Sequence, residues 1–380
     1  VTGSSTPRAS SIRPSRPDHW LRWRHWRLFL KRSFHFPMVD WPSTIFGRGG
    51  AGAHMKRREF IPFLGCAIVA GLPAARGQQL KSVRIGFLGA GAADTSAALI
   101  AALKQGLREN GLVEDKDYVL EPHWAEGHYE RFPGFARELT DHGARVIVVT
   151  TVAAARAAQR STSAIPIVMA LMNDPVGNNL VASLARPGGN TTGMASLNQD
   201  VTPKLLEVLH AALPQAKSVA ALYNPTNPSN VVFLNRVRTQ AAPLGIVISD
   251  FAVNTPDELN AAFRTIAAQR SQALLVIPDA ATLDLGARIA ALSLENRIPV
   301  VSTDTDLTGA GGLISYGVSR REAYRRSAYF VRKVLDGVKP VDLPVEQPTR
   351  ILLSVNLKTA KALGLAMPPS LIVAADEVIE

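Results

Sequence analysis

From Val83 onward, short β-branched runs alternate with longer Ala-rich stretches, the pattern of parallel sheets joined by crossover helices. Strands are expected at 83–88, 118–123, 145–149 and 165–170, with helices at 95–110, 130–142, 153–161 and 176–185. The scheme repeats with strands at 218–223, 246–253, 273–277, 298–302 and 312–315, and helices at 227–244, 256–270 and 282–296. Ala164-Ile-Pro-Ile-Val168 and Arg297-Ile-Pro-Val-Val301 echo each other, each apolar run following a helix and ending in an Asp-containing loop. Proline is tolerated at a strand entry, where the ladder bond is dispensable, so the shared Ile-Pro marks equivalent strands of an internal repeat.

The expected fold is α/β, with two Rossmann-like lobes on parallel sheets. Gly193 to Thr202 reads as the first boundary, with Thr202-Pro203 as the cap and first turn of a new helix. The chain is expected to cross back near Tyr316-Gly317, form a helix over 319–335, and cross again between Pro340 and Pro348. This gives a three-segment hinge, with residues 80–196 plus 318–342 in one lobe and 197–317 plus 343–380 in the other. Ligands of open α/β sheets bind at the carboxyl ends of the strands, so a cleft between the lobes is the expected site.

Upstream, Met55-Lys-Arg-Arg-Glu-Phe-Ile, an apolar run to Leu72 and Ala75-Arg-Gly77 form a cleavable export signal too short to anchor in a bilayer. The mature chain is expected to begin at Gln78 and to work in the periplasm. Arg57-Arg58 fits either twin-arginine or general export. Cys66, the only cysteine, is either a lipid-attachment site or a small apolar residue of a discarded segment. Residues 1–54 hold four of the five tryptophans and read as a non-native or disordered arm.

The net charge of +11 suggests nucleic acid until it is divided along the chain. Residues 1–54 carry nine Lys and Arg against two Asp and Glu, +7, and residues 55–79 carry four against one, +3, leaving +1 for the rest. A near-neutral domain has no polyphosphate footprint. About 300 remaining residues exceed what one core usually organises, in keeping with two lobes.

Gly86-Phe-Leu-Gly89-Ala-Gly91-Ala-Ala-Asp94 is not a dinucleotide turn, because Asp94 stands where the last glycine belongs and would repel a pyrophosphate. Its glycines are read as letting a ligand approach the backbone. With no Gly-x-Ser-x-Gly elbow and no His-x-x-x-His pair after residue 80, neither a catalytic set nor a metal or cofactor site is expected. Small polar residues at strand ends remain: Thr150-Thr151, Asn173-Asp174, Asn224, Asp279 and Asp304-Thr305. Hydroxyls and free N–H groups at a helix start, as at Thr150-Thr151, suit a carboxylate. Asp279 and Asp304 suit an ammonium, or are helix caps.

Several runs together resemble the periplasmic substrate-binding proteins of ABC transporters, in the group related to tryptophan- and tyrosine-binding components. They include Arg84-Ile-Gly-Phe-Leu, His123-Trp-Ala-Glu-Gly127, Asp174-Pro-Val-Gly177, Ser183-Leu-Ala-Arg-Pro-Gly-Gly-Asn190, Asn224-Pro225, Ala310-Gly-Gly-Leu-Ile-Ser-Tyr-Gly317 and Asn356-Leu-Lys-Thr-Ala-Lys-Ala-Leu-Gly-Leu365. The resemblance covers Met55 to Glu380 and implies a class I periplasmic-binding-protein fold. It also implies a monomeric, non-enzymatic receptor that hands a small solute, an amino acid or related carboxylate, to a membrane permease. Ligand contacts implied by it fall at Ala90, Gly91, Thr150, Thr151, Asp174, Asn224 and Tyr316; this chain departs at Ala90 to Ala93, where relatives more often carry serine or asparagine. Two other classes share such a fold, an exported α/β enzyme and a repressor-like sensor, the latter needing a helix-turn-helix before residue 80.

Overall fold

The computed structural model describes residues 82–380; the export signal and the arm before it lie outside the described residues. The first sheet is built from β1 (Val83–Gly89), α1 (Ala97–Glu109), β2 (Tyr118–Trp124), α2 (Phe132–Asp141), β3 (Val146–Val149), α3 (Val152–Ser161), β4 (Ile167–Met172) and β5 (Thr191–Ala195). Its strand order is β2-β1-β3-β4-β5, all parallel. Alternate residues of each strand feed two cores. Ile147, Val149, Ile167 and Met169 meet α2 and α3 on one face. Ile85, Phe87, Val146 and Val148 meet α1 on the other. Strands buried on both faces must be apolar throughout, which is why these runs are continuous rather than alternating.

The second sheet follows α4 (Asn198–Ala212), with β6 (Ser218–Tyr223), α5 (Pro228–Ala241), β7 (Val247–Ala252), α6 (Pro256–Ala268), β8 (Ala273–Val276), α7 (Ala280–Asp284), α8 (Gly286–Glu295), β9 (Val300–Asp304), α9 (Thr305–Gly309) and β10 (Ile314–Val318). The chain then enters α10 (Arg320–Leu335) and finishes with β11 (Leu352–Asn356), α11 (Leu357–Leu363), α12 (Pro369–Ala374) and β12 (Glu377–Ile379). The order is β12-β11-β10-β9-β8-β6-β7, parallel except where β11 runs against β10. The architecture is the expected two-lobed α/β fold, with that one antiparallel pairing.

Helix α10 does not stay with the second sheet. Its buried face, including Ala328, Val331 and Val334, packs with Leu99, Leu103 and Leu107 of α1 in the first lobe's core. The chain therefore passes between the lobes three times, after β5, after β10 and before β11. The parallel bridge of Met194 to Glu346 lies beside two of these passages.

Three local readings are corrected. Residues 191–195, where no strand is expected and which overlap the start of the Gly193 to Thr202 boundary, form a fully buried strand. Helix α4 starts at Asn198 rather than at the Thr202-Pro203 pair, and Pro203 lies inside it. The helix expected at 176–185 is a series of turns: Asp174 and Asn179 have positive φ (39° and 54°), and the Asp174 carboxylate accepts the Gly177 amide at 2.9 Å. Asp-Pro and Gly turn chemistry there overrides the apolar spacing.

Candidate functional site

In an open parallel sheet the crevice lies where the strand order reverses. In the first sheet that point is between β1 and β3, whose carboxyl ends deliver Ala90-Gly91 and Thr150-Thr151. In the second it is between β6 and β8, which deliver Asn224 and Asp279. One cleft is lined from both sides by Ala90, Gly91, Thr150, Thr151, Asp279 and Asp304. The Thr150 hydroxyl donates to the Leu88 carbonyl at 3.1 Å, and Thr151 caps α3 by accepting the Ala154 amide at 3.2 Å. The Val152 and Ala153 amides, in the first turn of α3, have no intrahelical acceptor.

Asp279 is 5% exposed and its carboxylate is saturated. Oδ1 accepts Asn224 Nδ2 at 2.6 Å and the Ala281 amide at 3.1 Å; Oδ2 accepts Asn227 Nδ2 at 2.7 Å and the Tyr129 hydroxyl at 3.1 Å. A carboxylate offers about four acceptor positions, so Asp279 has none left for an ammonium. It caps α7 and anchors a network. Asp304 is different: Oδ1 accepts the Asp306 amide at 2.9 Å, capping α9, and Oδ2 faces Arg320 Nη1 at 3.3 Å. Burial alone would lower the Arg320 pKa, but the Asp304 charge, with smaller help from Tyr324 and Asp306, holds it above its ordinary value.

The lobes touch across this cleft. Tyr129 of the first lobe donates to Asp279 of the second at 3.1 Å, and burial, reinforced by the Asp279 charge, raises the phenol pKa and keeps it a donor. Asp284, at the end of α7, accepts the Thr95 hydroxyl at 2.5 Å and the Ala92 amide at 3.3 Å. Burial raises its pKa despite those two donors. A Cβ on Gly91 would stand 2.9 Å from Asp284 Oδ1, so this glycine admits the opposite lobe's carboxylate rather than only a ligand.

The remaining predicted residues lie elsewhere. Asn224 is fully buried behind Asp279, which it orients. Asp174 closes its own turn and lines a separate surface groove with Val176 and Arg236. Tyr316 points into the second lobe's core.

Conversely, the cleft holds residues that sequence reasoning missed. Trp124 gives the cleft an aromatic wall, backed by the buried Phe87 ring with centroids 5.2 Å apart. Gly89 pairs with Trp124 across β1 and β2, and a Cβ there would sit 2.3 Å from the indole. That strand-end glycine beside the one tryptophan after residue 54 was the available signal. Arg320 follows the Ser319 cap at the start of α10, which places it at the cleft end of a helix entered from the hinge. Ser229 Oγ and Thr303 Oγ1 also line the cleft, are buried, and find no hydrogen-bond partner among the described residues. Within that lining there is no histidine, cysteine or lysine, and among the described residues no group of three or more potential ligands could hold a metal.

Residues 92–379 match the model of a family described as ABC transporter substrate binding protein. A curated relative, the "Tyrosine-binding protein" of Clostridioides difficile (strain R20291), is 26% identical over 221 residues, 58% of this chain and 63% of that protein, so the match spans less than two thirds of it. Two solved structures share the fold. One is a conserved domain protein from Vibrio cholerae, with 24% identity, TM-score 0.73, and coverage of 78% of this chain and 100% of that one. The other is an ABC domain from Streptococcus pneumoniae in complex with L-Trp, with 24% identity, TM-score 0.72, and coverage of 78% and 100%.

Proposed function

The chain belongs to the ABC transporter substrate-binding protein family, and from that premise we propose that it is the ligand receptor of an importer, holding an amino acid with an aromatic side chain between its lobes. The observation that carries this is the cleft's two-part lining: an apolar wall of Trp124, backed by Phe87, facing polar and charged groups at the strand ends of both sheets. Aromatic faces hold planar rings, and convergent polar groups fix orientation. The tyrosine-binding relative and the L-Trp complex support the same ligand class.

Ala90, Gly91, Thr150 and Thr151 contribute from the first lobe, and Asp304 from the second, while Asn224 and Asp279 frame the site without touching the ligand. The lobes close on the ligand as a hinge whose last crossing follows residue 346 rather than the expected 342, since Leu343 and Val345 pack in the first lobe's cores, and ligand contacts made only in the shut form drive closure. The receptor acts as a periplasmic monomer released by the signal at 55–77 and delivers its solute to a membrane permease. A binding role is favoured over catalysis because the family to which the chain belongs is one of substrate-binding proteins.

A thermal-shift screen of the purified chain against amino acids, sugars and small carboxylates tests the reading. Ligand at a hundred times its Kd stabilises by about 2.7 kcal/mol, a rise of several degrees. L-tryptophan or L-tyrosine should produce it; a shift with sugars alone would overturn the proposal.

A further inference from the structure

Arg320 and Asp304 form a buried pair in which both partners keep unused bonding capacity. The Arg320 side chain is 20% exposed and that of Asp304 2%. Arginine has five N–H donors; this one reaches Asp304 at 3.3 Å, against the 2.7–2.9 Å usual for such pairs, and is also hydrogen-bonded to the Tyr324 side chain, which still leaves donors for a ligand. Asp304 uses two of about four acceptor positions, one for Arg320 and one for the Asp306 amide. Beside it in the chain, Thr303 is 1% exposed, its hydroxyl has no hydrogen-bond partner among the described residues, and it lines the same cleft. An unsatisfied buried hydroxyl is costly, and because Thr303 lines the cleft a ligand atom there is in position to supply the missing partner.

Resting on the amino-acid reading above, we propose that the ligand's α-amino-acid end docks on this pair. Its carboxylate meets the Arg320 guanidinium, its ammonium meets Asp304, and the Thr303 hydroxyl completes the seat. The other acids of the cleft are unsuited: Asp279 is saturated, and Asp284 is bound to Thr95 and Ala92. The Thr150 and Thr151 hydroxyls already serve the backbone. A zwitterion laid antiparallel to a zwitterionic pair adds no net charge to a buried place, whereas a lone acid or lone amine adds one, at a large desolvation cost. Gly317 makes the arrangement possible, since a Cβ there would lie 1.8 Å from the Thr303 carbonyl. The seat also spans the lobes, because Arg320 belongs to α10, packed on the first, and Asp304 to the second.

The test is calorimetric titration of the full chain with L-tryptophan, tryptamine and indole-3-propionate. The parent should prefer L-tryptophan to both. Arg320→Met should cost about ten- to a hundredfold in L-tryptophan affinity, and the preference over tryptamine should vanish. Asp304→Asn should erase the preference over indole-3-propionate instead, Arg320→Lys should restore part of the loss, and Thr303→Val should weaken L-tryptophan severalfold. Because Arg320→Met strands a buried carboxylate, the double variant Arg320→Met with Asp304→Asn serves as its folding partner; it should bind all three probes with similar, weak affinity. Structural damage would lower every affinity together and leave the ratios unchanged, which would overturn the proposal. So would an intact ratio in Arg320→Met with loss in Thr151→Val, which places the carboxylate at the start of α3. A parent that binds no aromatic amino acid overturns the ligand class itself, a result distinct from either.

Discussion

Replacing Tyr129 by phenylalanine removes one bond between the lobes and little else. The hydroxyl donates to Asp279 Oδ2 at 3.1 Å, while the ring packs on Phe132 with centroids 5.6 Å apart and stays in place. Asp279 keeps Asn224, Asn227 and the Ala281 amide as donors, so no carboxylate oxygen is orphaned. A hydrogen bond to a charged group is worth roughly 1.5–3 kcal/mol net, and with three donors remaining the lower end applies. A loss of about 1.5 kcal/mol confined to the shut form lowers the shut-to-open ratio about tenfold. If the free protein is mostly open, apparent Kd rises by the same factor. Calorimetric titration with L-tryptophan or L-tyrosine reads this directly, and the melting temperature of the free protein serves as the folding control. A Kd within twofold of the parent, with the melting temperature unchanged, would refute the claim that this bond belongs to closure.

Gly89→Ala places a methyl 2.3 Å from the Trp124 ring; overpacking of that kind costs about 1–3 kcal/mol, so melting temperature should fall by a few degrees and aromatic ligands should bind more weakly than in the parent. Asp284 has its pKa raised above the ordinary 3.8 by burial against the other lobe, so closure takes up a proton. Ligand affinity measured by titration should therefore rise as pH falls through the raised value towards 3.8, and Asp284→Asn should flatten that dependence. Glu121 is the opposite case: burial acts to raise its pKa, but Arg84, His142 and His123 together outweigh it and hold it below the ordinary 4.5. The stability it contributes is present above 4.5 and lost as pH falls through the lowered value, so the melting temperature of the parent should drop more steeply on acidification than that of Glu121→Gln.

Much of the fold was legible because continuous apolar strands between helices have few other solutions. Ser218–Tyr223 was read to the residue. Thr191–Ala195 was not, since Thr-Thr-Gly-Met-Ala carries turn residues. There Gly193, at φ 127°, lets the strand lie against the Met169 backbone, where a Cβ would stand 2.3 Å from the carbonyl oxygen. That is a tertiary reason invisible locally. Beyond residue 340 the short elements β11, α11, α12 and β12 owe their form to the sheet they complete, and no periodicity announced them.

The candidate site was legible in part for the same reason. Loops at strand ends could be named, so Thr150, Thr151, Asp279 and Asp304 were found where strands stop. What each carboxylate does depends on partners far along the chain: Asn224 and Tyr129 for Asp279, Arg320 for Asp304. Those pairings are fixed by folding and distinguish a saturated cap from a group with capacity to spare. The aromatic wall escaped because Phe87 lies in an expected strand and Trp124 falls one residue past the strand expected at 118–123; the indole fits there only because its partner Gly89 has no side chain.

A crystal structure of the chain grown with L-tryptophan or L-tyrosine tests the central claim most directly. The account predicts one ligand between the lobes, its ring within about 4 Å of Trp124 and its polar end at the strand ends of both sheets. A ligand seated outside this cleft, for instance in the groove of Asp174 and Arg236, would contradict it.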